Sequence, residues 1–253
     1  KTIRFNFFQS IICLLVFLFV GQDLFGGEWL IYCYVSKTVA YPIIFLSFSY
    51  LFKSKFYRGI ICLSAVTYIH FLIGGTFFAF FVIFFCFKKL SLKMLLKYIS
   101  LYLIITSPII LYVLSNYFLN TEFESYKNFP DPEWIYSYFR HPHHLVPFKD
   151  FSSFYVRWFK GIIISLPLTA LSYYCYSKEL NSIKKDVALL NLIIFMQLYI
   201  SLIISFFDSS YFFAKFYMFR SSSMALFFSI VLSIIWLNEL ISKQKLKNHF
   251  NLF

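Results

Sequence analysis

Long apolar runs alternate with short polar clusters along most of this chain. Runs of helical length occur at about 5–21, 29–51, 94–118, 158–176, 187–207 and 223–242. A helix of about 20 apolar residues crosses the hydrocarbon core of a bilayer. The pattern therefore predicts an all-α protein built from about six full transmembrane helices.

Residues 59–87 form one more apolar stretch, which His70, Gly74 and Gly75 interrupt. Two full spans would need roughly 40 residues, and this stretch is shorter. Clusters of Lys and Arg flank it on both sides, and the positive-inside rule keeps such clusters in the cytoplasm. We therefore predict a pair of short helices that turns near Gly74-Gly75, with His70 near the junction.

With this pair in place, the charges separate onto two sides. Fifteen of the 23 Lys and Arg fall inside, and eight of the eleven Asp and Glu fall outside. The external segments are then 22–28, a long loop at 119–157, and 208–222. Since no internal repeat or linker interrupts the pattern, residues 1–253 are predicted to form a single transmembrane domain. We expect a multi-pass protein of the cell membrane, in a bacterium the cytoplasmic membrane.

Composition supports a lipid bilayer as the surroundings of the chain. Charged residues make up 13% of it, against about 25% in soluble domains. A net charge of +12 would suggest nucleic acid if the protein were soluble. Because the Lys residues lie between apolar runs, where they set membrane topology, no nucleic-acid partner is expected.

The cysteines and the first residue of the chain add two expectations. The five Cys lie within apolar runs or at their ends without CxxC spacing, so neither a zinc site nor a disulfide framework is indicated. The chain begins with Lys1, and its start does not resemble a cleaved signal peptide. We therefore expect a fragment of a longer protein, with functional residues upstream.

The long external loop carries the densest chemistry, in the segment Arg140-His141-Pro142-His143-His144. Imidazoles exchange protons near neutral pH and ligate metals, and arginine binds phosphate through two parallel N–H groups. The HxHH spacing alone is not a metal signature, and a solvated loop is the alternative. The sequence does not identify a cofactor, and Mg²⁺ and Mn²⁺ are candidates.

Other ionisable positions fall at the same predicted external side. His70 lies at membrane depth, where such residues usually face a protein cavity, although a backbone carbonyl would satisfy it too. Arg220 precedes the last span and either anchors the helix or binds a lipid phosphate. Asp23 lies in the first external segment, which would otherwise be an ordinary loop. Lys37 lies near the external end of the second span and either snorkels or binds an anion.

Three motifs give the chain a family resemblance. They are CLSAVTYIHFLIGG at 62–75, RHPHHLVP at 140–147 and MFRSSS at 218–223. Together they resemble bacterial multi-spanning glycosyltransferases of the GT-C type and related uncharacterised membrane families. The resemblance implies transfer of a sugar from a polyprenyl-phosphate-linked donor to a glycan or lipid acceptor on the outer face.

The resemblance also implies roles for the residues above. Cations would hold the donor phosphate, and an imidazole or carboxylate would deprotonate the acceptor hydroxyl. The acidic catalytic residue of this family lies in the first external loop, where Asp23 is not an unambiguous counterpart. The candidates for substrate binding are Arg140, Arg220, His70 and Lys37, and those for the base are His141, His143, His144 and Asp23.

Two other classes of function fit parts of the pattern. A polysaccharide polymerase or ligase also has a large external loop with Arg and His. A transporter of a lipid-linked or anionic substrate would use broken helices, which fits 59–87, but it would often have inverted repeats. A purely structural subunit would not need the His cluster.

Overall fold

Helices make up most of the part of the chain that the structure describes. This computed structural model describes residues 7–26, 30, 36–119, 135, 145–148, 158–178 and 182–250. Within them the chain forms eight α-helices and no strand, which confirms the predicted all-α class. The helices are α1 (Phe7–Phe19), α2 (Ser36–Phe52), α3 (Phe56–Ile69), α4 (Phe71–Phe87), α5 (Leu92–Leu119), α6 (Lys160–Lys178), α7 (Ser182–Phe207) and α8 (Ser222–Phe250).

Three of these helices are long and apolar enough to span a membrane. They cover Leu92–Asn116, Ile183–Phe207 and Ser222–Ser242, at three of the six predicted spans. The shorter apolar helices include α1, whose 13 residues extend only about 20 Å. The finding indicates a membrane protein, while six full spans stay a prediction.

The stretch 59–87 belongs to a hairpin of two short helices, α3 and α4, as predicted. The rings of Phe56 and Phe85 lie 5.2 Å apart, so the start of α3 meets the end of α4. The single residue between the helices is His70, in an extended conformation. The predicted turn near Gly74-Gly75 is wrong, because both glycines lie inside α4.

Gly74 instead allows α3 and α4 to pack closely against each other. A Cβ atom at this position would overlap the side chain of Thr67 and lie 2.5 Å from its Cα. Only a residue without a side chain lets α4 approach α3 this closely. Neighbouring Gly75 has no such contact, because nothing lies within 4 Å of its Cβ position.

Helix α2 packs antiparallel to α3, and α5 packs parallel to it on another side. The Ser47 hydroxyl of α2 donates to the carbonyl of Gly59, at 2.7 Å. The hydroxyls of Thr67 on α3 and Tyr102 on α5 also lie 2.7 Å apart. These hydrogen bonds satisfy hydroxyl groups whose burial without a partner would cost free energy in an apolar interior.

Phe48 joins α2 to the rest of the core. Its ring lies 5.8 Å from Phe77 and from Phe81 on α4, and 5.5 Å from Phe228 on α8. Ring pairs at such distances add attraction beyond the area that they bury. The α3–α4 hairpin is thereby tied to α8, the helix that follows the MFRSSS motif.

A buried amide connects the last three helices. Asn191 of α7 donates from Nδ2 to the hydroxyl of Ser172 on α6 and to that of Ser229 on α8, both at 2.9 Å. All three residues are fully buried. Polar contacts of this kind hold helices together where lipid removes the hydrophobic driving force between them.

The bundle has two chemically different ends. At one of them, Lys88 pairs with Asp186 and Lys184 pairs with Glu239, each at 2.8 Å. We call this the basic end, because the helix ends there carry the predicted cytoplasmic clusters. His70 lies at the opposite end, with Arg220 and the turn that follows α1, and we call it the His70 end. Two of the acids predicted inside, Asp186 and Glu239, therefore neutralise basic-end lysines.

Candidate functional site

His70 connects two helices through its backbone. Its N–H donates to the Val66 carbonyl at 2.7 Å and closes α3, while its own carbonyl accepts from the Gly74 N–H at 3.0 Å and opens α4. Extended torsions, φ −152° and ψ 95°, separate the two helices at this residue. Both helices therefore fix the backbone from which the imidazole projects.

The imidazole of His70 contacts Arg220. Arg220 Nη1 lies 2.8 Å from His70 Nε2, although 150 positions separate the two residues. A guanidinium only donates hydrogen bonds and stays protonated in proteins. The Nε2 atom is therefore the acceptor here, so His70 is neutral and its proton is on Nδ1. The structure thus brings together two of the predicted binding residues, while their role in binding stays a prediction.

A short turn before α8 presents Arg220. Tyr217 has a left-handed backbone, with φ 51°, and its carbonyl accepts from the Arg220 N–H at 3.1 Å. The ring of Tyr217 lies under the guanidinium, with its centroid 3.8 Å from Cζ. The hydroxyl of Tyr41 on α2 donates to the Arg220 carbonyl at 3.0 Å. Stacking and hydrogen bonds together fix the position of the cation.

The neighbours of Arg220 in the MFRSSS motif anchor the turn to three other elements. Phe219 is buried, and its ring lies 4.6 Å from Trp158. The Ser221 hydroxyl donates to Gln197 Oε1 at 2.6 Å, and the Ser222 hydroxyl donates to the Phe25 carbonyl at 3.2 Å. The residues immediately before and after Arg220 are therefore both anchored, and they fix its backbone.

The charge of Arg220 has no carboxylate opposite it within the described ranges. No ion pair involves the residue there, and its buried Nε atom has no hydrogen-bond partner. Half-buried cations are usually paired, because desolvation makes an unpaired charge costly. An arginine with a neutral acceptor and a spare donor is suited to an anionic ligand.

Asp208, which follows α7, accepts hydrogen bonds from the backbone and does not pair with Arg220. Its carboxylate accepts from the backbone N–H groups of Phe212, Phe213 and Ala214, at 3.1, 2.8 and 3.2 Å. These bonds fix the start of the segment 208–217, which leads to Tyr217. The acid therefore positions the site.

The loop motif falls mostly outside the described residues. Arg140, His141, His143 and His144 lie there, so their predicted approach to Arg220 is untested. The next residues are described, and Leu145 and Val146 pack against Ala214, with Tyr217 beside them. This part of the predicted external loop contacts the segment that presents Arg220.

Two further candidates lie at the His70 end. Asp23 belongs to the turn after α1, next to Phe25, whose ring lies 6.3 Å from both Trp158 and Phe219. Lys37 lies in the first turn of α2, one helical turn before Tyr41, and residues four apart share a helix face. The sequence analysis did not identify Tyr41 as a site residue. The chain has 20 tyrosines, and only the spacing of one helical turn from Lys37 distinguishes Tyr41 from the others.

Metal chemistry receives no support from the described portion of the chain, where no three His, Cys, Asp or Glu side chains are grouped to hold an ion. Comparison of the chain with protein-family models, with curated proteins and with solved structures finds no match. The site therefore has to be interpreted from its own geometry.

Proposed function

We propose that the chain is a multi-pass membrane protein with its basic end in the cytoplasm and its His70 end outside. The support is the separation of charge between the two ends of the bundle. Exposed aromatic side chains near Tyr217 also suit a membrane–water interface, where aromatic residues concentrate: Phe206, Phe207, Phe212, Phe213 and Phe216.

Labelling of single cysteines tests this orientation. In a variant without the native cysteines, Ser209→Cys is exposed at the His70 end, and Ser177→Cys is exposed at the basic end. We expect a membrane-impermeant maleimide to label the first in intact cells and the second only after permeabilisation. The reverse pattern would invert the proposed topology.

We propose further that the protein moves a sugar from a polyprenyl-phosphate-linked donor to a glycan or lipid acceptor. The observation that carries this is Arg220, a preorganised cation at the predicted outer face that has no carboxylate partner among the described residues. A donor of this kind needs a fixed cation for its phosphate and an apolar surface for its prenyl chain, and the exposed aromatics of 206–216 offer that surface. The motif resemblance supports the same class of enzyme.

Roles follow from position. Arg220 would bind the donor phosphate, with His70 and Tyr217 holding the guanidinium in place. Lys37 would add positive charge from α2. The base stays a proposal among Asp23 and the loop imidazoles His141, His143 and His144, with Arg140 as a second cation.

Substituting Arg220 tests the proposal. The arginine should contribute charge-assisted hydrogen bonds worth about 1.5–3 kcal/mol, so Arg220→Ala should weaken binding of farnesyl phosphate by about 10- to 100-fold. Sugar transfer from a polyprenyl-phosphate donor should fall by at least as much. The matched control is Arg58→Ala, because Arg58 is exposed at the basic end and lies over Tyr50. Equal binding by both variants would remove Arg220 from the site and would contradict the proposal.

A further inference from the structure

The contact between Arg220 and His70 keeps the imidazole neutral while no anion is bound. A phosphate is best held by two parallel N–H bonds from a guanidinium. One of the terminal nitrogens, Nη1, already donates to His70 Nε2. Arg220 has other N–H groups to donate, and a phosphate that accepts from them brings a negative charge close to His70, which favours the charged form of the imidazole.

Protonation of the imidazole gives the phosphate a second donor. With a proton on Nε2, His70 no longer accepts from Arg220 and instead becomes a donor to the phosphate. Without an anion, the same proton would put two cations 2.8 Å apart, which is unfavourable. The anion therefore decides which protonation state is stable.

We propose that binding of a lipid-linked phosphate at Arg220 is coupled to uptake of one proton by His70. The inference rests on the proposed function, since it requires a phosphate at this site. On binding, the Nη1–Nε2 hydrogen bond breaks, one solvent proton moves to Nε2, and both residues donate to phosphate oxygens. The phosphate then accepts from two cationic side chains, whereas in the empty site His70 is neutral.

Other groups around His70 do not replace it as the proton acceptor. Tyr102 on α5 shares a hydrogen bond with Thr67, and Tyr68 on α3 donates to the Ile105 carbonyl, at 2.7 Å each. Within the described residues, the other titratable or charged side chains at this end include Lys37 and Tyr41 of α2, Asp23 of the turn after α1, Lys160 of α6, and Asp208, Tyr211, Tyr217 and Arg220 of the segment before α8. Tyrosine, lysine and arginine do not gain a proton near neutral pH, and aspartate ordinarily gains one only at more acidic pH.

Proton uptake can be measured directly on the full chain in nanodiscs of zwitterionic lipid. The probe is farnesyl methyl phosphate, a phosphodiester with one negative charge. It resembles a prenyl-phosphate sugar and does not titrate near neutral pH. Calorimetry in two buffers with different heats of ionisation gives the number of protons bound with each ligand. We expect a value approaching one at pH 7.5.

The pH dependence of affinity gives a second measure that needs no variant. Uptake of one proton makes binding tighter as the pH falls, by up to tenfold for each unit between pH 8 and 6.5. In His70→Gln the side-chain amide oxygen can still accept from Arg220 but does not titrate. We expect this variant to bind the diester with no proton uptake and a flat pH profile.

The outcomes separate the two proposals. Binding without proton uptake, or equal uptake by wild type and His70→Gln, overturns the coupling and leaves the phosphate site standing. Failure of the wild type to bind the diester overturns both. Dimethyl phosphate, the same head group without a prenyl chain, distinguishes a lipid ligand from a free phosphate, and we expect it to bind at least tenfold more weakly.

Discussion

Gly74→Ala should destabilise the protein by about 3 kcal/mol, near the upper end of the cost of over-packing. The added methyl group would overlap the Thr67 side chain and lie within 2.7 Å of its backbone nitrogen. Backbone atoms of a packed helix cannot rotate away, so α3 and α4 must separate. Thermal unfolding in detergent measures the loss.

Gly75→Ala is the matched control, because it makes the same chemical change one residue later. Its Cβ would meet nothing within 4 Å, and alanine favours a helix over glycine by about 0.5–1 kcal/mol. This variant should therefore be as stable as the wild type or slightly more so. Equal destabilisation by the two substitutions would show that close packing at Gly74 is not the reason.

Gly161→Ala should damage the site from a distance. A methyl group at Gly161, in α6, would overlap the Leu24 carbonyl oxygen and lie 3.0 Å from the ring of Phe25. The turn after α1 would have to move, and Phe25 would leave its place beside Trp158 and Phe219. Because Phe219 precedes Arg220, we expect weaker farnesyl phosphate binding together with a stability loss of about 2–3 kcal/mol.

A reporter cysteine separates displacement of this turn from general unfolding. Leu24 is buried, so Leu24→Cys in a background without native cysteines should react slowly with maleimide. Adding Gly161→Ala should accelerate the reaction several-fold at temperatures well below the unfolding transition. Adding Gly75→Ala instead should leave the rate unchanged. If Gly161→Ala also left the rate and the affinity unchanged, the turn would not depend on this contact.

The helices could be predicted from the sequence because apolar length and flanking charge act locally. The hairpin at His70 followed from Lys and Arg clusters on both sides of a stretch too short for two spans. The position of its turn could not be predicted in the same way. Glycine pairs are typical of turns, yet Gly74 is needed as a contact surface inside α4.

The candidate site could be predicted in its residue types but not in its contacts. His70 and Arg220 were expected at one end on grounds of charge, and they do meet. The hydrogen bonds from Tyr41 to Arg220 and from Ser221 to Gln197 span 179 and 24 positions, and no local pattern indicates them. Such partners depend on how the helices rotate and tilt, which apolar periodicity alone does not fix.

The single-residue link between α3 and α4 gives the hairpin a mechanical property. The torsions that set the angle between the helices belong to His70, the residue that touches Arg220. A rotation of 10° there would swing the far end of α4, about 25 Å away, by roughly 4 Å. Lys88 lies at that far end in its ion pair with Asp186. Any change in these torsions would therefore move Lys88 at the basic end as well as the imidazole beside Arg220.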